Sequence, residues 1–251
     1  VKSLNLLLVV LLVCLACQSV HGFEIAFPGE AGFLIGLPMS YIMLDARTGE
    51  TEHGLFIFGQ SMVVIEGKEY YDSVFKTETK ISHFYFGFNF DQEQKYLTLK
   101  GLATGMTELL IEPAASVVRY PLSAGNKWQE GTTIVGKNVE IPNLGILPSL
   151  TVQDVLARTT VSAFDVTVPA GEFSTLCVET NFAGNVLNIP LALIHRTWLN
   201  PHNITVRKTI EFLFMGKTIP LLDMQLQELY PSVCKPMDKL TGYWGRIKTI
   251  E

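Results

Sequence analysis

Charge is scarce in this chain. Of its 251 residues, 17% are Asp, Glu, Lys or Arg and 48% are apolar, and the formal balance is −5. So large an apolar fraction excludes an intrinsically disordered chain, which buries too little surface to offset its ordering entropy. The negative balance, with no cluster of Lys or Arg, excludes a nucleic-acid binder, because phosphates require a basic face. Cysteine is nearly missing too: four residues in all, at positions 14, 17, 177 and 234. Cys14 and Cys17 are spaced as Cys-x-x-Cys but lie in the signal region; beyond it no Cys-x-x-Cys or His-x-x-x-His pair is present, so no metal ligand is assigned. His53, His83, His195 and His202 read as loop and sheet-surface residues. There is no Gly-x-Ser-x-Gly elbow for a nucleophile. Asp165, Glu172 and Glu179 gather around one hairpin, but Glu172 lies at the turn, and Asp165 and Glu179 alternate with apolar neighbours as a solvated sheet face does. No catalytic residue and no cofactor follow from these patterns, and the expectation is a protein that is not an enzyme.

Long apolar runs are also lacking, with one short exception. Leu6 to Ala16 is unbroken and is preceded by Lys2. At about half of the roughly 20 residues a membrane span needs, it reads as a secretory signal peptide over residues 1–22. Two cleavage readings compete. Val20-x-Gly22 suits an ordinary signal peptidase and leaves Phe23 as the new terminus. Leu15-Ala16-Cys17 resembles part of a bacterial lipoprotein box, with Cys17 as the acylated residue, although Cys14 stands where Leu is expected. Export makes Cys177 and Cys234 a candidate disulfide, worth roughly 4 kcal/mol in the chain-entropy model. The alternative is two buried thiols acting as small hydrophobes.

Helical periodicity is absent from the rest, and a period of two replaces it. His83-Phe84-Tyr85-Phe86-Gly87-Phe88-Asn89-Phe90 places four phenylalanines on one face of a strand, since successive side chains point to opposite sides. Turn chemistry cuts the chain at short intervals. Arg47–Glu50 separates Tyr41–Asp45 from Leu55–Phe58; Glu66-Gly67-Lys68 separates Met62–Ile65 from Tyr70–Phe75; Asp91–Gln94 precedes Tyr96–Lys100. Val161–Val168 meets Pro169-Ala170-Gly171 and returns as Phe173–Thr180, and Thr209–Met215 turns into Thr218–Leu229. The reading is an all-β, antiparallel domain of about ten strands over residues 23–229, built as a single curved sheet, a half-open barrel or a sandwich. Residues 230–251 form a tail with one candidate strand near Trp244–Ile250, and Ile141–Pro148 reads as an apolar connecting loop.

Several of these residues resemble a bacterial family of exported, periplasmic or lipoprotein-like β-rich proteins of unknown function. The motifs are Tyr120-Pro121-Leu122-x-x-Gly125-x-x-Trp128 and Val168-Pro169-Ala170-Gly171-x-Phe173. They are flanked by the Gly67-Lys68-Glu69-Tyr70-Tyr71 hairpin and by Trp198-Leu199-Asn200-Pro201 running into Val206-Arg207-Lys208. The last turn departs from the family's Gly, and Asn203 is expected to supply the left-handed conformation there. The resemblance implies a β fold and a periplasmic or envelope address, lipid-anchored in the lipoprotein reading, and carries no activity.

Core packing is the plain explanation of the Phe84, Phe86, Phe88 and Phe90 face. The sharper one is a concave groove for a lipid, an acyl chain or another apolar molecule, rimmed by Tyr70, Tyr85 and Trp128. Against this binding domain stand a structural module that offers the Ile141–Pro148 loop to an envelope protein, and an extracytoplasmic hydrolase whose residues converge only in space.

Overall fold

A computed structural model describes residues 23–28, 33–44, 50–90, 94–141, 145–186, 189–214 and 216–228. The signal region with Cys17, the tail with Cys234 and the candidate strand near Trp244 lie outside the described residues. The strands are β1 (Glu24–Ile25), β2 (Pro38–Leu44), β3 (Thr51–Ile65), β4 (Lys68–Thr77), β5 (Ile81–Phe90), β6 (Lys95–Thr104) and β7 (Thr107–Tyr120). They continue with β8 (Leu122–Ser123), β9 (Lys127–Ile141), β10 (Gly145–Val168), β11 (Gly171–Val186), β12 (Ile189–Leu199), β13 (Thr205–Phe214) and β14 (Lys217–Glu228). The all-β, antiparallel expectation holds, and no helix of the described residues is long and apolar enough to cross a membrane.

The sheet is neither half open nor a sandwich. Twelve strands close into one antiparallel barrel in the order β10-β11-β12-β13-β14-β2-β3-β4-β5-β6-β7-β9, with β9 pairing back to β10. The tally of about ten is corrected in both directions. Leu55–Phe58 and Met62–Ile65 belong to one strand, β3, which bends at a register shift between Ile57 and Ser61 against β4. Gly59 makes that bend with a φ of 61°, and a Cβ there would sit 2.9 Å from the Tyr71 ring. β7, β9 and β12 are added because they lack clean alternation: Leu109-Leu110-Ile111 and Leu191–Ile194 are continuous apolar runs.

Ile141–Pro148 is a hairpin rather than a loop. Gly145 pairs with Ile141 and Leu147 with Val139, while 142–144 lie outside the described residues. At the motif turns the sequence reading stands. Asn203 takes the left-handed conformation, with a φ of 60°, and the Trp128 indole N–H donates to the Ser116 carbonyl at 2.9 Å.

Alternation sorts the side chains into an apolar interior and a polar exterior. Tyr41, Phe56, Phe84, Phe86, Leu176, Phe182, Val206, Met224 and Leu226 are buried inside. Outside, Arg196 lies between Glu179 and Glu211, and Arg207 pairs with Asp223. A transmembrane barrel carries the inverse pattern, a polar lumen within an apolar outer band.

Twelve strands enclose more width than the roughly eight that side chains fill unaided, so one end needs a plug. That end holds the start of β2, the end of β7 and the β12–β13 turn. Phe27 and Phe33, from the segment ahead of β2, pack edge-on against Tyr120, and Phe33 also meets Phe58 and Phe88. Ile25 pairs with Leu122 of β8 in a separate two-stranded sheet just past the end of β7, which holds the segment beside that end.

Candidate site: an apolar cavity under the plugged end

Beneath Phe33 and Leu34 the barrel interior is incompletely filled. The cavity there measures about 60 Å³ and is walled by Met39, Phe56, Phe58, Phe86, Leu97 and Val117 among others. That is about four times what one water molecule requires. It admits a polar head group with a few carbon atoms; a longer chain requires the plug side chains to move aside.

The wall is built by alternation on neighbouring strands. Phe56 and Phe58 come from β3, and Phe84 and Phe86 from β5. Phe84 stacks on Phe86 at 6.4 Å between ring centroids, and Phe58 lies 5.4 Å from Phe86. Two hydrogen bonds fasten the mouth. The Tyr120 hydroxyl donates to Asn203 Oδ1 at 2.9 Å, joining the end of β7 to the β12–β13 turn. The Tyr41 hydroxyl donates to the Thr205 carbonyl at 2.8 Å. Burial raises the pKa of both phenols well above the ordinary tyrosine value, so both stay protonated as donors.

Two nitrogen-bearing side chains point inward from the opposite wall. His195 on β12 and Lys208 on β13 line the cavity and are 6% and 4% exposed. The Lys208 Nζ sits 4.8, 5.4 and 5.8 Å from the centroids of Phe84, Phe86 and Phe56. Burial pulls its pKa down to about 8. Burial first, and then the charge of Lys208, hold His195 far below the ordinary imidazole value, so it is neutral. Its Nε2 lies 3.4 Å from Thr197 Oγ1.

The residues singled out in sequence divide between the two sides of the wall. Phe84 and Phe86 are buried inside, and the half-buried Phe88 packs on Phe33, Phe58 and Tyr71. Phe86 borders the cavity. The side chain of Phe90 lies outside the described set. Tyr85 and Tyr70 form no rim. Tyr85 alternates with the phenylalanines and therefore faces out, and Tyr70 covers the outer side of Gly87, where a Cβ would meet its ring at 3.2 Å. Trp128 packs on the core edge under Arg119, away from the cavity lining. The exposed Asp165 accepts from Ser174 and the half-buried Glu179 from Arg196, and the β10–β11 register puts the two carboxylates on opposite faces of the hairpin.

His195 corrects the reading of the histidines as surface groups, and Lys208, in sequence only part of the Val206-Arg207-Lys208 motif, is a cavity residue. The signal for Lys208 lies in β13, where Val206-x-Lys208-x-Ile210-x-Phe212 puts a lysine on an otherwise apolar face. Cys177 faces away from the interior, buried, with its thiol pushed up to about 12 by burial and by Glu179; it is therefore a poor nucleophile.

Fold and cavity define a closed antiparallel β-barrel with an apolar, plugged interior. No family model, no curated protein and no solved structure matches the chain.

Proposed function

We propose that this protein is an exported, non-enzymatic β-barrel of the bacterial cell envelope that holds an apolar ligand, a lipid or acyl chain, in its interior. The observation that carries the reading is the cavity walled by Phe56, Phe58, Phe86 and Leu97 beneath Phe33. An interior of aromatic and aliphatic groups with a few placed polar atoms is the usual composition of a small-molecule site. Removing apolar ligand surface from water contributes roughly 25 cal/mol per Å². Export rests on Lys2 and the Leu6–Ala16 run, and the resemblance carried by Val168–Phe173 points to the same envelope address. The barrel replaces the open concave face expected from the sequence as the place where such a ligand sits.

Native mass spectrometry of residues 23–251 purified from a periplasm, followed by solvent extraction, tests this. The expected result is a stoichiometric apolar molecule released on extraction. A bare-protein mass, together with no uptake of added amphiphiles, would overturn it.

A second reading has its own support. Ile146 and Leu147 are 53% and 37% exposed on the β9–β10 hairpin, and exposed apolar groups at a hairpin suit an interface with an envelope protein. Ile146→Asp would then abolish partner capture by crosslinking in cells while leaving ligand content intact.

A further inference from the structure

Lys208 is the group in the cavity with unfinished chemistry. It is 4% exposed, and among the described residues its Nζ has no hydrogen-bond acceptor and no carboxylate partner. Its neighbours are the faces of Phe84, Phe86 and Phe56, which attract a cation through their quadrupoles. Rings supply attraction but no acceptor lone pair, and a buried ammonium has three N–H donors to satisfy. The other lining groups cannot serve as counter-ions: His195 is neutral, and the Tyr120 hydroxyl donates to Asn203. Burying an unpaired charge is costly, yet this one is placed on the wall of the cavity rather than in a filled part of the core.

We propose that Lys208 recognises the carboxylate of an apolar carboxylic acid, its hydrocarbon lying along the Phe56, Phe58 and Phe86 wall toward Phe33. This rests on the reading that the interior takes an apolar ligand, and it fixes that ligand's head group as an anion. The cavity volume suits the arrangement, since a carboxylate and its first carbons fill it and the remaining chain takes the place of the plug side chains at the mouth. A charge-assisted N–H to carboxylate bond in this apolar setting is stronger than a neutral one. A neutral head accepts a hydrogen bond without compensating the charge, and a cationic head repels the ammonium.

The test is titration calorimetry of the full protein at pH 7 with decanoate, decanol and decyltrimethylammonium, repeated on Lys208→Met. Wild type is expected to bind decanoate roughly tenfold or more tightly than decanol and to reject the cation. Lys208→Met is expected to lose that preference while still binding decanol. Circular dichroism checks that it is folded, and Lys208→Gln takes its place if it is not. Equal affinity for decanoate and decanol in wild type, or an unchanged preference in the variant, would overturn the assignment of Lys208 and leave the apolar interior standing. Failure of all three probes to bind would overturn both.

Discussion

Two lysines are buried alike in different regions of the barrel, Lys100 in the wall between β5 and β7 and Lys208 in the interior, at 3% and 4% exposure. Their electrostatic states diverge. Burial disfavours the charged form of Lys100, but its Nζ donates to Glu66 at 2.8 Å and Glu112 at 3.3 Å, and its pKa ends above the ordinary lysine value. Among the described residues Lys208 has three aromatic faces and no carboxylate, and its pKa falls to about 8. Burial by itself therefore does not decide the charge; the partner does. An ammonium that already has two carboxylates is structural, whereas one that lacks them beside a cavity is a place for an anion.

The comparison can be broken most forcefully by removing a ring. Phe84→Ala strips the nearest aromatic face from Lys208 and opens a cavity in the core, and is expected to cost about 3–5 kcal/mol in urea unfolding. Lys208→Met should act in the opposite direction. With the unpaired charge replaced by an apolar side chain of similar length, the ligand-free protein is expected to gain on the order of 2–3 kcal/mol at pH 7, read as a higher Tm.

The pH dependence of that gain separates the two lysines. In the unfolded chain Lys208 titrates near the ordinary 10.5, and in the folded barrel at about 8. Between those values the unfolded chain holds more protons. Wild-type stability should therefore rise as pH increases from about 8 to 10.5, and the penalty is constant below that window. Lys208→Met should flatten this slope. Lys100→Met should leave it in place, because the folded pKa of Lys100 is raised rather than lowered. A Lys208→Met protein with the wild-type slope would show that the slope comes from another group.

Lys100→Met itself should cost about 1 kcal/mol, shrinking in 1 M salt as the carboxylates it leaves behind are screened. His195 gives a signal confined to acid. It stays neutral in the fold, while the unfolded imidazole takes up a proton below its ordinary 6.5. Stability should fall as pH drops below about 6.5, and His195→Phe should moderate that loss in acid unfolding followed by circular dichroism.

Much of the wall was legible from alternation. Phe84, Phe86 and Phe88 share a face because a strand turns its side chains by half a revolution per residue. The same rule applied to Tyr85 places it outside, so its assignment to a rim conflicts with the alternation that identified the phenylalanines. Val168-Pro169-Ala170-Gly171 was read as a turn and joins β10 to β11. β7 and β12 were harder, because Leu109-Leu110-Ile111 and Leu191–Ile194 are apolar on both faces and do not alternate. Lys208 was hidden for a related reason: in sequence, a lysine between Arg207 and Thr209 looks like solvent-exposed charge.

The sequence by itself determined that this chain is antiparallel β, where several of its tight turns fall and which side chains share a strand face. Those properties depend on local backbone geometry and on residues a few positions apart. Closure of the barrel, the plug of Phe33 over the β7 and β13 ends, and the burial of His195 and Lys208 were decided by tertiary structure alone. They depend on register between strands distant in the chain, such as the pairing of β14 with β2, and a period of two carries no information about which strand lies opposite.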